Sequence, residues 1–345
     1  VPLQRKFISP FLLILTLLAV GSAAGSRAVP PATVDAYEVW TGSVQDPWCG
    51  TDDAAYLLDE DADLRGPHFS LSLLCGYVES RIPEFAFEET STARQLADDT
   101  ELLLVQIAHA ADYLPETERF PAVHATSVRA WVEIGRKRIA LDAPPTKGGY
   151  LAVIVPEGEK SALWIEDAER AQGLDLRNGE QLDPVSAYYE EPGLWTEKLP
   201  DYDYDDVRFR NGGATWDLSC DSIGANVTRA VWLEDQGWAP EGKAFLVAEF
   251  WWCSGEGVYD GAIWVLDADK AMTVWIDSEI VQSSVLEERP YESGGAVYTA
   301  VFEVPSDVER FRILFAPVGE VIDERTGATY ELEVLPRITD SEVTF

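Results

Sequence analysis

Beyond residue 66 the apolar positions recur mostly with a period of two. In Glu309-Arg310-Phe311-Arg312-Ile313-Leu314-Phe315 the side chains of Phe311, Ile313 and Phe315 share one face, and Arg310 and Arg312 take the other. That alternation is the mark of a half-buried strand. Tyr330, Leu332 and Val334 alternate with Glu331 and Glu333 in the same way. The run from Ala244 to Trp252 differs, being apolar on nearly both faces. It predicts a central strand covered from both sides, near a contact between sheets or domains. Asn178-Gly179 and Thr326-Gly327 supply turn chemistry. Helical periodicity of useful length is confined to the leader. Short strands broken by Gly, Pro and Asp predict an all-β chain of sandwich type.

The pattern occurs twice. Glu101 to Ala110 aligns on Ala244 to Cys253 without a gap, placing Gln106 on Glu249 and Ile107 on Phe250. Upstream, Cys75 falls on Cys220. Downstream, residues 150–156 resemble residues 298–305 with one residue of slack. A duplicated sheet-forming unit follows. It predicts a first β-sandwich over 67–182 and a second over 212–345. An acidic, Pro- and Gly-containing linker would join them over 183–211, and an irregular segment would precede them over 29–66.

Residues 1–28 read as a leader. Arg5 and Lys6 precede an apolar run from Phe11 to Val20, and Ser22 and Ala24 stand where a signal peptidase reads small residues. The two readings are a cleaved signal peptide and a single membrane-anchoring helix through residues 7–25. Both leave the rest of the chain outside, because the positive charges stay in. The expectation is a protein secreted or anchored on the outer face of the cytoplasmic membrane, touching the membrane only through residues 7–25.

Composition sharpens this picture. The chain carries 61 acidic and 26 basic residues, a formal charge of −35. Such a field repels phosphate backbones and excludes nucleic acid as a partner. Four cysteines in an exported chain predict two disulfides. Three pairings are possible, and separation by domain favours Cys49–Cys75 and Cys220–Cys253. With no CxxC and only His68, His109 and His124, neither a metal site nor a cofactor is expected.

The second repeat resembles the telokin-like, immunoglobulin-like extracellular domains of Gram-positive bacteria, a family of unknown function. The residues behind the resemblance are Lys243 to Trp252, following an Ala-Pro-Glu-Gly turn, and Val301-Phe302-Glu303-Val304-Pro305, followed by an aromatic strand. It covers roughly 212–336 and, more weakly, 68–182. The first repeat departs from it, with Ala110 in place of the second cysteine and a shortened Val-Pro strand. The resemblance implies two tandem immunoglobulin-like sandwiches, secreted or surface-anchored, with no known catalytic residues.

No GxSxG, HExxH, P-loop or GxGxxG is present. His109 sits in an apolar strand and reads as a core residue, while His68 and His124 read as loop or strand-edge residues. Asp59-Glu60-Asp61-Ala62-Asp63 opens like a calcium loop, but Leu64 and Ser70 replace the required Gly and Glu. Asp201, Asp203, Asp205 and Asp206 remain as loose calcium candidates. Trp251, Trp252 and Trp264 are the candidate binding residues. Trp251 and Trp252 point to opposite faces of one strand, so one of them should leave the core. The expected function is a non-catalytic envelope or secreted protein that binds another protein through its sandwiches. The alternatives are a pair of glycan-binding modules using exposed Trp, and a hydrolase using two acids roughly 5–10 Å apart.

Overall fold

The computed structural model describes residues 32–43, 49, 55–59, 61–82, 94–108, 128–146, 148–190, 192–200, 207–218, 224–252, 261–290, 295–316, 318–334 and 338–345. The leader at 1–28 lies outside them. Within them the regular secondary structure is almost all β-strand. The exceptions are a 3-10 turn at Ser186–Tyr188 and a four-residue helix at Ala268–Ala271.

Two sheets form the first half. One runs in the order β2 (Val39–Ser43), β10 (Gly149–Pro156), β7 (Thr100–Ala108), β5 (Ser70–Glu79), β3 (Tyr56–Leu57), with β4 (Asp63–Arg65) also on β5. The other runs β13 (Gln181–Leu182), β12 (Arg170–Asp175), β11 (Ser161–Asp167), β8 (Arg129–Ile134), β9 (Lys137–Ala140). Leu103, Val105 and Ile107 from the first sheet bury against Val132, Leu163 and Ile165 from the second. A parallel pair, β1 (Ala32–Val34) with β6 (Arg94–Leu96), completes this half.

The second half repeats the plan. One sheet runs β14 (Thr196–Lys198), β17 (Ala225–Ala230), β20 (Lys243–Trp252), β25 (Ala296–Pro305), β24 (Ser283–Pro290). Its partner runs β23 (Glu279–Val281), β22 (Met272–Ile276), β26 (Arg310–Phe315), β29 (Thr339–Thr344). Leu246, Phe250 and Phe302 meet Val274, Phe311 and Ile313 between them. Each such side chain contributes about 1.5–3 kcal/mol on burial. A third sheet, β16 (Ala214–Leu218), β15 (Val207–Asn211), β28 (Thr329–Val334), β27 (Gly319–Asp323), β21 (Ala262–Leu266), has no counterpart among the described strands of the first half. A small hairpin, β18 (Trp232–Leu233) with β19 (Gly237–Trp238), follows β17.

The orders β10-β7-β5 and β9-β8-β11-β12 therefore recur as β25-β20-β17 and β23-β22-β26-β29. Register agrees as well. Thr100 lies opposite Pro156, and Lys243, its partner in the repeat alignment, lies opposite Pro305. The single residue of slack falls at the tyrosine end, where Tyr150 faces Gln106 but Tyr298 faces Phe250.

Two boundaries differ from the sequence expectation. The segment 29–66 is not wholly irregular, because β2 completes a sheet by pairing with β10 more than a hundred residues away. The linker expected at 183–211 carries β14 and the start of the third sheet, and Tyr188 within it is buried. Polar composition suggested a free linker, but pairing partners elsewhere in the chain make these residues strands.

The halves touch at the β18–β19 hairpin. Trp238 donates its indole N–H to the Ala168 carbonyl at 2.7 Å, and the Arg170 guanidinium lies 4.2 Å from the Trp238 ring centre. His68 lies, as expected, in a loop, between β4 and β5, and its side chain is buried beside this junction. Its Nδ1 lies 2.6 Å from Asp167 Oδ1, its backbone N–H donates to Asp167 Oδ2, and its ring meets Trp232 edge-on at 4.7 Å. A β-turn composition concealed a buried polar contact that only β11 could complete.

Candidate functional site

Strand β20 has two apolar faces, and they meet different surroundings. Leu246, Ala248, Phe250 and Trp252 point into the sandwich. Phe245 and Val247 point outward, where Val301, Leu233, Ala239 and Val285 gather around them. Cross-strand register extends this outer face, setting Val247 opposite Val301, Glu249 opposite Thr299 and Trp251 opposite Val297. Strand β24 continues it with Val285 opposite Val301 and Glu287 opposite Thr299.

These residues form a groove of about 300 Å³. Its floor is Val247, Val285, Val297 and Val301, and one wall is Trp232 and Leu233 of the hairpin. Glu234, Asp235 and Glu287 stand exposed at its rim, and Glu249 is half-buried within it. Arg289 is the one cation in the lining. Glu288 engages the Tyr298 hydroxyl. Burial first, and then that carboxylate's charge and hydrogen bond, raise the Tyr298 phenol above its ordinary pKa. Among the described residues the lining holds no His, Cys or Ser. An apolar floor below a carboxylate rim suits a ligand that is both apolar and cationic.

A second hollow of about 630 Å³ lies between β2 and residues 140–149, and Asp142 is the one charged residue among the described residues that line it.

The residues singled out by sequence fall in different places. Cys49 and Cys75 form a disulfide, with the Cys49 sulfur 3.3 Å from Gln106 Oε1. Cys220 and Cys253 lie outside the described residues, as do His109, His124 and the aspartates Asp201, Asp203, Asp205 and Asp206. Trp252 and Trp264 are not surface anchors: both are 2% exposed, with ring centres 5.7 Å apart inside the second core. The alternation rule required one of Trp251 and Trp252 to leave the core. Trp251 takes the strand face opposite Trp252, yet it is partly buried, packs against the second core and is not among the groove-lining residues. Asp63, from the calcium-like loop, is buried and committed to Arg65 at 2.8 Å, with Gln181 donating to it as well. Burial raises its pKa, and the Arg65 partnership works against that rise.

Flat, paired indoles do occur elsewhere, on β8 and β11. Trp131 and Trp164 stack with an interplanar angle of 6°. Trp131 is buried, and the Arg138 guanidinium lies over its ring at 3.3 Å. A sugar ring would have to displace that cation. Among the described residues no group of three or more His, Cys, Asp or Glu could hold a metal ion, and no helix is long and apolar enough to cross a membrane.

Sequence reasoning missed the groove. Its one legible trace was the placement of Glu249 on Gln106, a carboxylate standing where the first repeat has an amide. No family model matches this chain, and no curated protein matches it either.

Proposed function

We propose that this chain is an exported, non-catalytic protein that binds another envelope or extracellular protein through the outer sheet face of its second half. The observation that carries the reading is the groove over Val247, Val285, Val297 and Val301, a hollow with an apolar floor on the outer face of a folded sheet. The halves are read as tandem immunoglobulin-like sandwiches, in keeping with the resemblance to extracellular Gram-positive domains and with the repeated strand order. The Cys49–Cys75 disulfide supports an oxidising location, since such bonds are rare in the cytosol. Glycan binding through tryptophan has less behind it, because Trp252 and Trp264 are core residues and Arg138 covers Trp131.

The test is site-specific photocrosslinking of the full chain in the cells that make it. A photoreactive residue replaces Thr299 inside the groove, or exposed Glu342 on β29 as a control. A discrete protein adduct from position 299 and none from position 342 is expected. Absence of any protein adduct at 299 overturns the reading.

A further inference from the structure

The two repeats cover the same sheet face differently. In the first, Leu102 and Leu104 of β7 point outward with Tyr77 and Ile154, and all are buried. What buries them is the chain's own N-terminal part: Val34 is buried there, with Trp40, Cys49 and Ala55 packed against the cluster. The disulfide pins this cover, because Cys75 lies directly opposite Gln106. Gln106 is itself only 4% exposed beneath it.

In the second repeat the aligned residues, Phe245 and Val247, are buried too, but under a smaller cover. Leu233 and Ala239 of the hairpin region close over Phe245, while the stretch across Val247, Val297 and Val301 remains a groove. The neutral, covered Gln106 has become the half-buried Glu249. Four more carboxylates, Glu234, Asp235, Glu287 and Glu288, line the same opening, with Arg289 beside them. A neutral apolar occupant would seal Glu249 away from water without a partner, which is costly. A cation held between apolar side chains would satisfy both the floor and the carboxylates.

We infer that the groove takes a short protein segment in which lysine or arginine lies between apolar side chains, occupying the place that the N-terminal segment fills in the first repeat. The inference rests on the protein-binding reading above. The volume, near the lower end of the roughly 300–1,000 Å³ typical of ligand pockets, suits a few side chains and not a whole domain.

The experiment measures fluorescence anisotropy of three labelled pentapeptides on the full chain. They are Val-Lys-Val-Lys-Val, Ser-Lys-Ser-Lys-Ser with equal charge, and Val-Glu-Val-Glu-Val. The first is expected to bind, and the other two to bind at least about tenfold more weakly. Glu249→Gln, which copies the amide of the first repeat, should weaken the first peptide about tenfold, whereas Glu342→Gln should leave it unchanged. Exposed Glu287→Gln carries the same test should Glu249→Gln unfold, as read by circular dichroism. Equal binding of the two lysine peptides, or indifference to both groove substitutions, overturns the inference, because the overall charge of the chain would then explain everything. No binding up to about 1 mM also overturns it. If a protein adduct still forms at Thr299 in that case, the protein-binding reading stands and the basic-segment inference alone falls.

Discussion

Replacing both Cys49 and Cys75 by alanine removes a cross-link that closes 26 residues of chain. A loop of that length restricts the unfolded ensemble by about 12 cal/mol/K, or about 3.5 kcal/mol at 25 °C. Cys75 is wholly buried, so losing its sulfur adds roughly 1 kcal/mol. The first half should therefore lose about 4 kcal/mol, a large share of the 5–15 kcal/mol typical of a domain. In urea this moves its midpoint down by roughly 2 M for a slope of about 2 kcal/mol/M. Hydrogen exchange with peptide resolution is the appropriate assay, because it separates the halves. Protection should fall over residues 71–78 and 101–107 and hold over 244–251. The dye ANS should also report newly exposed apolar surface, because the cover over Leu102 and Leu104 loses its tether. A loss below about 1 kcal/mol refutes the loop-closure reasoning. An equal loss in both halves refutes the view that the bond acts on one sheet face.

Three further outcomes are expected. Leu246→Ala, in the centre of the second core, should cost about 2–5 kcal/mol by chemical denaturation, with the loss confined to residues 196–345. Trp238→Phe keeps the ring but deletes the N–H donated to Ala168; about 1–2 kcal/mol of coupling between the halves should go, read as a wider separation of their melting transitions. Glu101 is part-buried, which alone would raise its pKa, yet the Arg177 guanidinium and the Gly158 N–H hold it below the usual glutamate value. A depressed folded pKa stabilises above the unfolded pKa near 4.5 and loses that contribution as pH falls through the folded value. Glu101→Gln should therefore flatten stability against pH below about 4.5, measured by thermal melts across that range, and an unchanged slope would contradict the pairing.

Much of the scaffold was legible in the chain itself, because strand formation and face assignment follow from local alternation. Phe311, Ile313 and Phe315 share a buried face as their spacing predicts. The both-faced run at 244–252 is a central strand with clusters on each side. The gapless repeat alignment carries the register of β7 with β10 onto that of β20 with β25. Asn178-Gly179 and Thr326-Gly327 mark turns in which both glycines take positive φ, +76° and +69°.

Other features depended on partners far away in sequence. Alternation puts Trp252 on the face opposite Trp251, but which of those faces is the core depends on where the second sheet packs. His68 is the loop residue its sequence context suggests, but its buried partner Asp167 comes from β11. The contrast between a covered Gln106 and a half-buried Glu249 arises because the first repeat has an N-terminal segment pinned by a disulfide over its outer face, and the hairpin of the second repeat covers less. Periodicity records which side chains share a face. Whether that face is closed or left as a groove depends on what the rest of the chain brings against it, and a local pattern does not encode that.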